Sequence, residues 1–434
     1  MFTDPPLLVE RIARSFDLTR IVDGRSRLKL DAPSVRSLAE LLDHPGLVRE
    51  LRSVGAPESA LNSSATDPLQ SVRERLPFLR LIRNTSTSWR LRRILNDLYD
   101  YVEPEIRESD VEELDSRIAR NAVDPTWASH VLAERCRIDG IVCDLADRPQ
   151  SFNPAETEDR FSTRAFYFWD ASPLLTYDHP VASSAKKVTK PAYSKKLAAV
   201  IGQKPGTMSE LNRGIQSFLE ATVTGQVKFL STRLSTKVRI ERPDEDQIDH
   251  LLAQESGGVP LTDDETDRLM SAVAWSVFSW ANDHRRVLQL NGVGRSPHQP
   301  YSCPAALGKL AATFGGVRFV LADYARDFAR HAHFLAASKP NIALGGFSDG
   351  TFVTPLIGVE FAERLQSVPV GKCVAFMSHA TSVEWLYGNL IVLRQGLARG
   401  LAGAVEDDHI HENQVRDLLS ATLGVAAVHS LDLK

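Results

Sequence analysis

The sequence predicts an α/β protein, a (β/α)8 barrel of the TIM type, and three observations predict it. Eight short apolar runs are spread along the whole chain. They are continuous rather than alternating, as strands of a parallel sheet covered on both faces must be. Most are separated by segments in which apolar residues recur with helical spacing. A chain of 434 residues, 43% of them hydrophobic, is long enough to form one barrel domain over residues 1–434.

The elements follow in order. The first strand is expected at residues 21–23. Residues 33–128 then read as a helical insertion, with helical runs at 60–79 and in the basic, aromatic stretch from Trp89 to Tyr99. Further strands are expected at 140–143, 164–169, 226–230, 287–291, 317–322, 341–346 and 372–378. The clearest helices between them are 265–282 and 324–337. Residues 177–206 carry Lys186, Lys187, Lys190, Lys195 and Lys196 among Ser, Ala and Pro, the composition of a solvated loop.

Composition excludes several function classes. A formal net charge of -4 argues against a nucleic-acid or membrane-surface protein. The early acidic residues and the lack of a long apolar stretch support neither a signal peptide nor a membrane span, so a cytoplasmic protein is expected. Cys136, Cys143, Cys303 and Cys373 lack paired spacing and read as free thiols in a reducing compartment.

The segment from Arg20 to Leu28 is the most informative, because Asp23, Arg25 and Arg27 alternate in it. On a strand, residues two apart point to one side, so the two guanidiniums aim at the same spot. The segment resembles the first barrel strand of uronate isomerases, in the amidohydrolase superfamily, where Asp-x-His-x-His-Leu is expected. Collinear with it, Leu51 to Glu58 resembles "Leu-Arg-Ser-Asn-Gly-Val-Pro-Glu", and Ile141 to Asp147 resembles "Ile-Cys-Thr-Thr-Asp-Asp". Leu344 to Phe347, Glu363 to Pro369, Phe376 to Ala380 and Glu384 to Gly388 resemble the last two strands of a divergent branch.

The resemblance implies a (β/α)8 barrel with a helical insertion after the first strand, an isomerase of sugar acids, and a divalent metal. In the family the metal is held by the two first-strand histidines and an aspartate at the end of strand eight, with a strand-five histidine nearby. Here Arg25, Arg27, His379 and Asn291 stand at those positions. Guanidinium stays protonated and has no lone pair to donate, so no metal site and no cofactor are expected. The family's "Arg-Pro-Asp" becomes Phe168-Trp169-Asp170, and Arg295 follows Asn291 as the counterpart of a later arginine.

Two guanidiniums roughly 7 Å apart repel by 2 kcal/mol in an effective dielectric near 20. A carboxylate or phosphate between them would offset that cost, and planar bidentate donors suit either. The leading expectation is a sugar acid or other small carboxylate bound by Arg25, Arg27, Asn291, Arg295 and Asp23. Catalysis, if present, would then be metal-independent, with His379 and Asp170 as acid-base residues. Alternatively the arginines pair with Asp23 or another internal carboxylate and close a dead site, leaving a pseudoenzyme with an interaction role. A third reading is a metal-dependent isomerase with displaced ligands. Homo-oligomers are a class expectation for such barrels.

Other patterns read as bland. His331 and His333 lie on one expected helix, where residues two apart do not share a face, and read as a solvated or cap-side pair. His409 and His411 sit in a polar connection before a helix at 413–423. Gly345-Gly346-Phe347-Ser348-Asp349-Gly350 lacks the phosphate-loop Lys-Ser/Thr and reads as the turn after strand seven. No Gly-x-Ser-x-Gly elbow is present, and Ser378 beside His379 is only a neighbour pair.

Overall fold

The computed structural model describes residues 7–61, 67–147, 154–175, 193–233, 238–294, 303–348 and 352–434. Eight strands pair in chain order among these residues. They are β1 (Ile21–Asp23), β2 (Ile138–Asp144), β3 (Arg164–Asp170), β4 (Val227–Arg233), β5 (Val287–Asn291), β6 (Arg318–Ala322), β7 (Ile342–Gly345) and β8 (Cys373–Val374). Registers are parallel, with Val22 against Gly140, Phe168 against Phe229, Leu230 against Leu288, Leu290 against Leu321, Leu321 against Leu344 and Gly345 against Val374. Parallel neighbours joined in sequence need a crossover after each strand. Helices supply them, among others Met208–Thr222, Asp263–Asp283, Pro304–Thr313, Ala329–Ser338 and Thr354–Ser367. This is the α/β TIM-like arrangement that the apolar runs predict.

Local chemistry fixes the helix ends. Asp263–Asp283 starts two residues earlier than its periodicity implies, because Thr262 and Glu265 form a reciprocal capping box there. Between β1 and β2 the chain is helical over Leu38–Leu42, Pro45–Ser53, Pro68–Leu81, Ser86–Tyr99 and Val111–Val123. Over the expected helix at 60–79 the described residues are helical in Glu58–Leu61 and in Pro68–Leu81, where Pro68 sits in the first turn behind the Asp67 cap, and residues 62–66 lie outside the described part.

The chain divides into two compact units. The first comprises residues 1–166, 351–366 and 376–425, and the second residues 167–350, 367–375 and 426–434. In the first, Leu38, Leu41, Leu47, Leu51, Val72, Ile94, Trp385 and Leu397 are buried. In the second, Leu211, Leu219, Val277, Phe278, Phe319 and Leu344 anchor one apolar cluster. Each such side chain contributes about 1.5–3 kcal/mol relative to exposure.

Three consecutive strands end on aspartate, and each carboxylate captures the N–H two residues ahead. Asp23 takes the Arg25 N–H at 3.2 Å, Asp144 that of Ala146 at 3.0 Å, and Asp170 that of Ser172 at 2.9 Å. The side chain thus replaces the ladder partner and turns the chain out of the sheet. After β8, Ser378 does the same through its hydroxyl, which accepts from the Ala380 N–H at 3.1 Å.

Several expectations need correction. β8 is two residues long rather than seven, because the Ser378 N–H binds the Asp23 side chain instead of a strand partner. β1 likewise ends at Asp23, so Arg25 and Arg27 lie beyond the strand. His331 and His333 are not both solvated: His331 is exposed, whereas His333, turned to the core face of the helix Ala329–Ser338, is buried. Lys195 and Lys196 belong to the helix Tyr193–Ile201, while Lys186, Lys187 and Lys190 lie outside the described residues. The turn reading after β7 holds at Gly346, whose φ of +63° suits glycine; residues 349–350 lie outside the described part. Cys136, Cys143 and Cys373 are buried free thiols and Cys303 is exposed.

Candidate functional site

Beyond β1 the chain bends at Gly24 and Arg25 and is bonded on both sides. The Ser26 N–H reaches the Val142 carbonyl on β2 at 2.7 Å. On the other side Gly24 donates to Phe376 at 3.0 Å, His379 to the Arg25 carbonyl at 2.9 Å, and Arg27 to Ala380 at 3.0 Å. Residues 24–27 and 376–380 are therefore locked together by backbone bonds. Burial alternates along the first of them: Ser26 and Leu28 are buried, Arg25 is half-buried and Arg27 exposed. Both arginines lie beyond β1 rather than in the sheet.

The same bonds bring His379 beside Arg25. His379 is half-buried and holds φ at +51°, a left-handed conformation that a side chain other than glycine adopts only when its surroundings impose it. Ser378, fully buried, imposes it from the N-terminal side: its N–H donates to Asp23 Oδ1 at 2.9 Å and its hydroxyl to Oδ2 at 2.5 Å. The Ser26 hydroxyl, which donates to the Ala380 carbonyl at 3.3 Å, holds the other end of the turn.

Asp23 is fully buried and points into this clasp rather than toward solvent. Burial pushes its carboxyl up to about 7, against the hydrogen bonds from Ser378, the Arg25 N–H and Ser26, which favour the ionised form. Arg25 thus serves Asp23 through its backbone N–H.

The remaining site candidates lie in the second unit. Asn291, at the end of β5, donates both amide hydrogens, to Ser231 Oγ at 2.8 Å and to the Thr232 carbonyl at 3.1 Å. Ser231 in turn donates to Gln289 Oε1 at 3.2 Å. With both hydrogens committed to the protein, the Asn291 amide nitrogen has no donor left for a carboxylate. Asp170 is half-buried and caps the turn to Ser172. Phe168 is buried against Phe229, and Arg295 lies outside the described residues. Sequence reasoning missed Ser378, Ser26, Ser231 and Gln289. Only the adjacency of Ser378 to His379 gave any signal, and it favoured the histidine.

The first unit's set does not fit a divalent metal at the positions the family uses. Arg25 and Arg27 have no lone pair to give, and the Asp23 oxygens are taken by N–H and O–H donors of the chain itself. Among the described residues, no three His, Cys, Asp or Glu side chains gather as a metal-binding group. No described helix is long and apolar enough to cross a membrane.

No family model matches the chain, and no curated protein matches it by sequence. Solved structures do. The uronate isomerase of Thermotoga maritima superposes with a TM-score of 0.77 at 13% identity, covering 99% of this chain and 100% of that one. The glucuronate isomerase of Caulobacter crescentus gives 0.73 at 14% identity, over 100% of this chain and 96% of that one. A uronate isomerase of Bacillus halodurans gives 0.66 at 11% identity, over 100% and 98%. With the parallel eight-stranded order, these superpositions identify the fold as uronate isomerase-like.

Proposed function

We propose that the chain binds a sugar acid or another small carboxylate at the rim formed by residues 24–27 and 376–380, and that any isomerase or lyase chemistry there runs without a metal. The observation that carries this reading is the backbone pairing of Arg25 with His379 and of Arg27 with Ala380. It brings the backbones of two arginines and one histidine onto adjoining segments, which supports a shared anion site there. The neighbouring acid, Asp23, turns inward to Ser378. Arg25 and Arg27 hold the carboxylate, and His379 moves a proton at a carbon or hydroxyl next to it. Asp170, as an acid-base residue, and Asn291, as a ligand contact, are proposed for the second unit taken by itself. Helices between β1 and β2 correspond in this reading to the insertion at residues 33–128.

Titration calorimetry with D-glucuronate on protein stripped by a chelator tests the proposal, with neutral D-glucose as control. Saturable glucuronate binding that weakens at least about tenfold in the Arg25→Met/Arg27→Met variant is expected, one carboxylate-guanidinium contact contributing about 1.5–3 kcal/mol. Binding that appears only after zinc or manganese is added, or that the variant leaves unchanged, would falsify it.

A further inference from the structure

We infer that Arg90, on the helix Ser86–Tyr99, is a positioning residue for the turn that carries His379, and that it acts through Asn389. The inference rests on the proposed rim site, and it adds residues that make no contact with the ligand.

Every polar group of Ser378 is fixed. The N–H and hydroxyl go to Asp23, and the carbonyl accepts from Asn389 Nδ2 at 2.8 Å. Asn389 is buried in the helix Val383–Glu406. Because its partner is a carbonyl, the atom facing Ser378 is the amide nitrogen, which turns Oδ1 toward Arg90. Arg90 Nη1 donates to that oxygen, and Nη2 donates to Thr87 Oγ1 at 3.0 Å. Thr87 passes the contact on, donating to Glu50 Oε1 at 2.7 Å. The guanidinium carbon lies 5.5 Å from the Phe352 ring centroid and 5.6 Å from that of Trp385. Two rings and two hydrogen-bonded groups therefore hold Arg90 in one orientation.

The end of this chain of contacts is the peptide between Ser378 and His379, which precedes the left-handed His379. Such a backbone costs about 1–2 kcal/mol, so it persists only if both ends of that peptide are held. Asp23 holds one side, and Asn389, oriented by Arg90, holds the other. When the Asn389 donor is lost, the peptide can rotate, and the His379 N–H leaves the Arg25 carbonyl.

Two variants test this with amide hydrogen exchange followed by NMR on the ligand-free protein. Asn389→Asp keeps an acceptor for Arg90 but removes the donor to Ser378, at constant shape. Arg90→Lys keeps the charge but loses the fork, and it answers the question if the first variant fails to fold. The expected result is exchange at least about tenfold faster at the His379 and Arg27 amides, with the amides of β4 to β6 unchanged. Equal acceleration at all amides shows a role in global stability only and overturns the inference, as does unchanged exchange at His379. Because the readout needs no ligand, a wild-type protein that binds no glucuronate would sink the proposed function and still leave the relay tested.

Discussion

Ser378 donates both its N–H and its hydroxyl to the carboxylate of Asp23, a residue 355 positions earlier in the chain. The pair fastens the end of β1 to the segment after β8 with side-chain bonds where the backbone ladder has stopped. Ser378→Ala removes the hydroxyl contact and leaves one Asp23 oxygen short of a donor. A loss of about 1–3 kcal/mol is expected in urea unfolding, and an unchanged unfolding midpoint would show that the contact carries no stability.

Asp23 also makes stability depend on pH. Its folded carboxyl titrates at about 7 against an ordinary 3.8, so the folded state binds the proton more tightly than the unfolded one. The sign follows: this contribution is fully present below about 3.8 and is lost as pH rises through about 7. Its ceiling is about 4 kcal/mol. Asp23→Asn, neutral throughout, should show a smaller decrease in stability between roughly pH 4 and pH 7 than the wild type. Parallel pH profiles for the two proteins would count against a buried, proton-linked Asp23.

Glu384 is the second fully buried carboxylate of the first unit. It accepts from the Tyr99 hydroxyl at 3.2 Å, from Trp127 Nε1 at 3.0 Å and from the Val35 N–H at 3.2 Å, and burial raises its titration. Glu384→Ala strands three donors at once, which should cost about 3 kcal/mol or more. Thermal unfolding by calorimetry measures it, and a cost under about 1 kcal/mol would mean that water replaces the carboxylate.

At the rim, exposed Arg27 and half-buried Arg25 should differ in their response to salt. Raising ionic strength from about 0.05 M to 0.5 M should weaken glucuronate binding severalfold in the wild type and less in Arg27→Met, since exposed charges are screened most. Calorimetry over that range decides. Identical salt slopes would place the carboxylate away from Arg27.

Most of the fold was legible because barrel strands are continuous apolar runs. Ile21–Asp23 and Val287–Asn291 fall where the runs are, as do the flanking helices. Strand ends were less legible. β1 has the expected limits, whereas β8 stops short of Ser378, whose N–H goes to Asp23, a partner distant in sequence. The same reason hid half of the site. Nothing local to Ser378 announces that it faces Asp23, and nothing local to Asn291 that it uses both amide hydrogens on Ser231 and Thr232.

The strand-ending aspartates have a consequence for any mutational survey of this protein. Asp23, Asp144 and Asp170 each fold a turn with the carboxylate that a chemist would first suspect of catalysis. Alanine at any of them removes the acceptor of its turn, so a loss of activity there does not by itself mark a catalytic acid. Asparagine keeps an acceptor oxygen for the turn while removing the charge. Only the difference between the two replacements at each position separates an architectural acid from a reactive one.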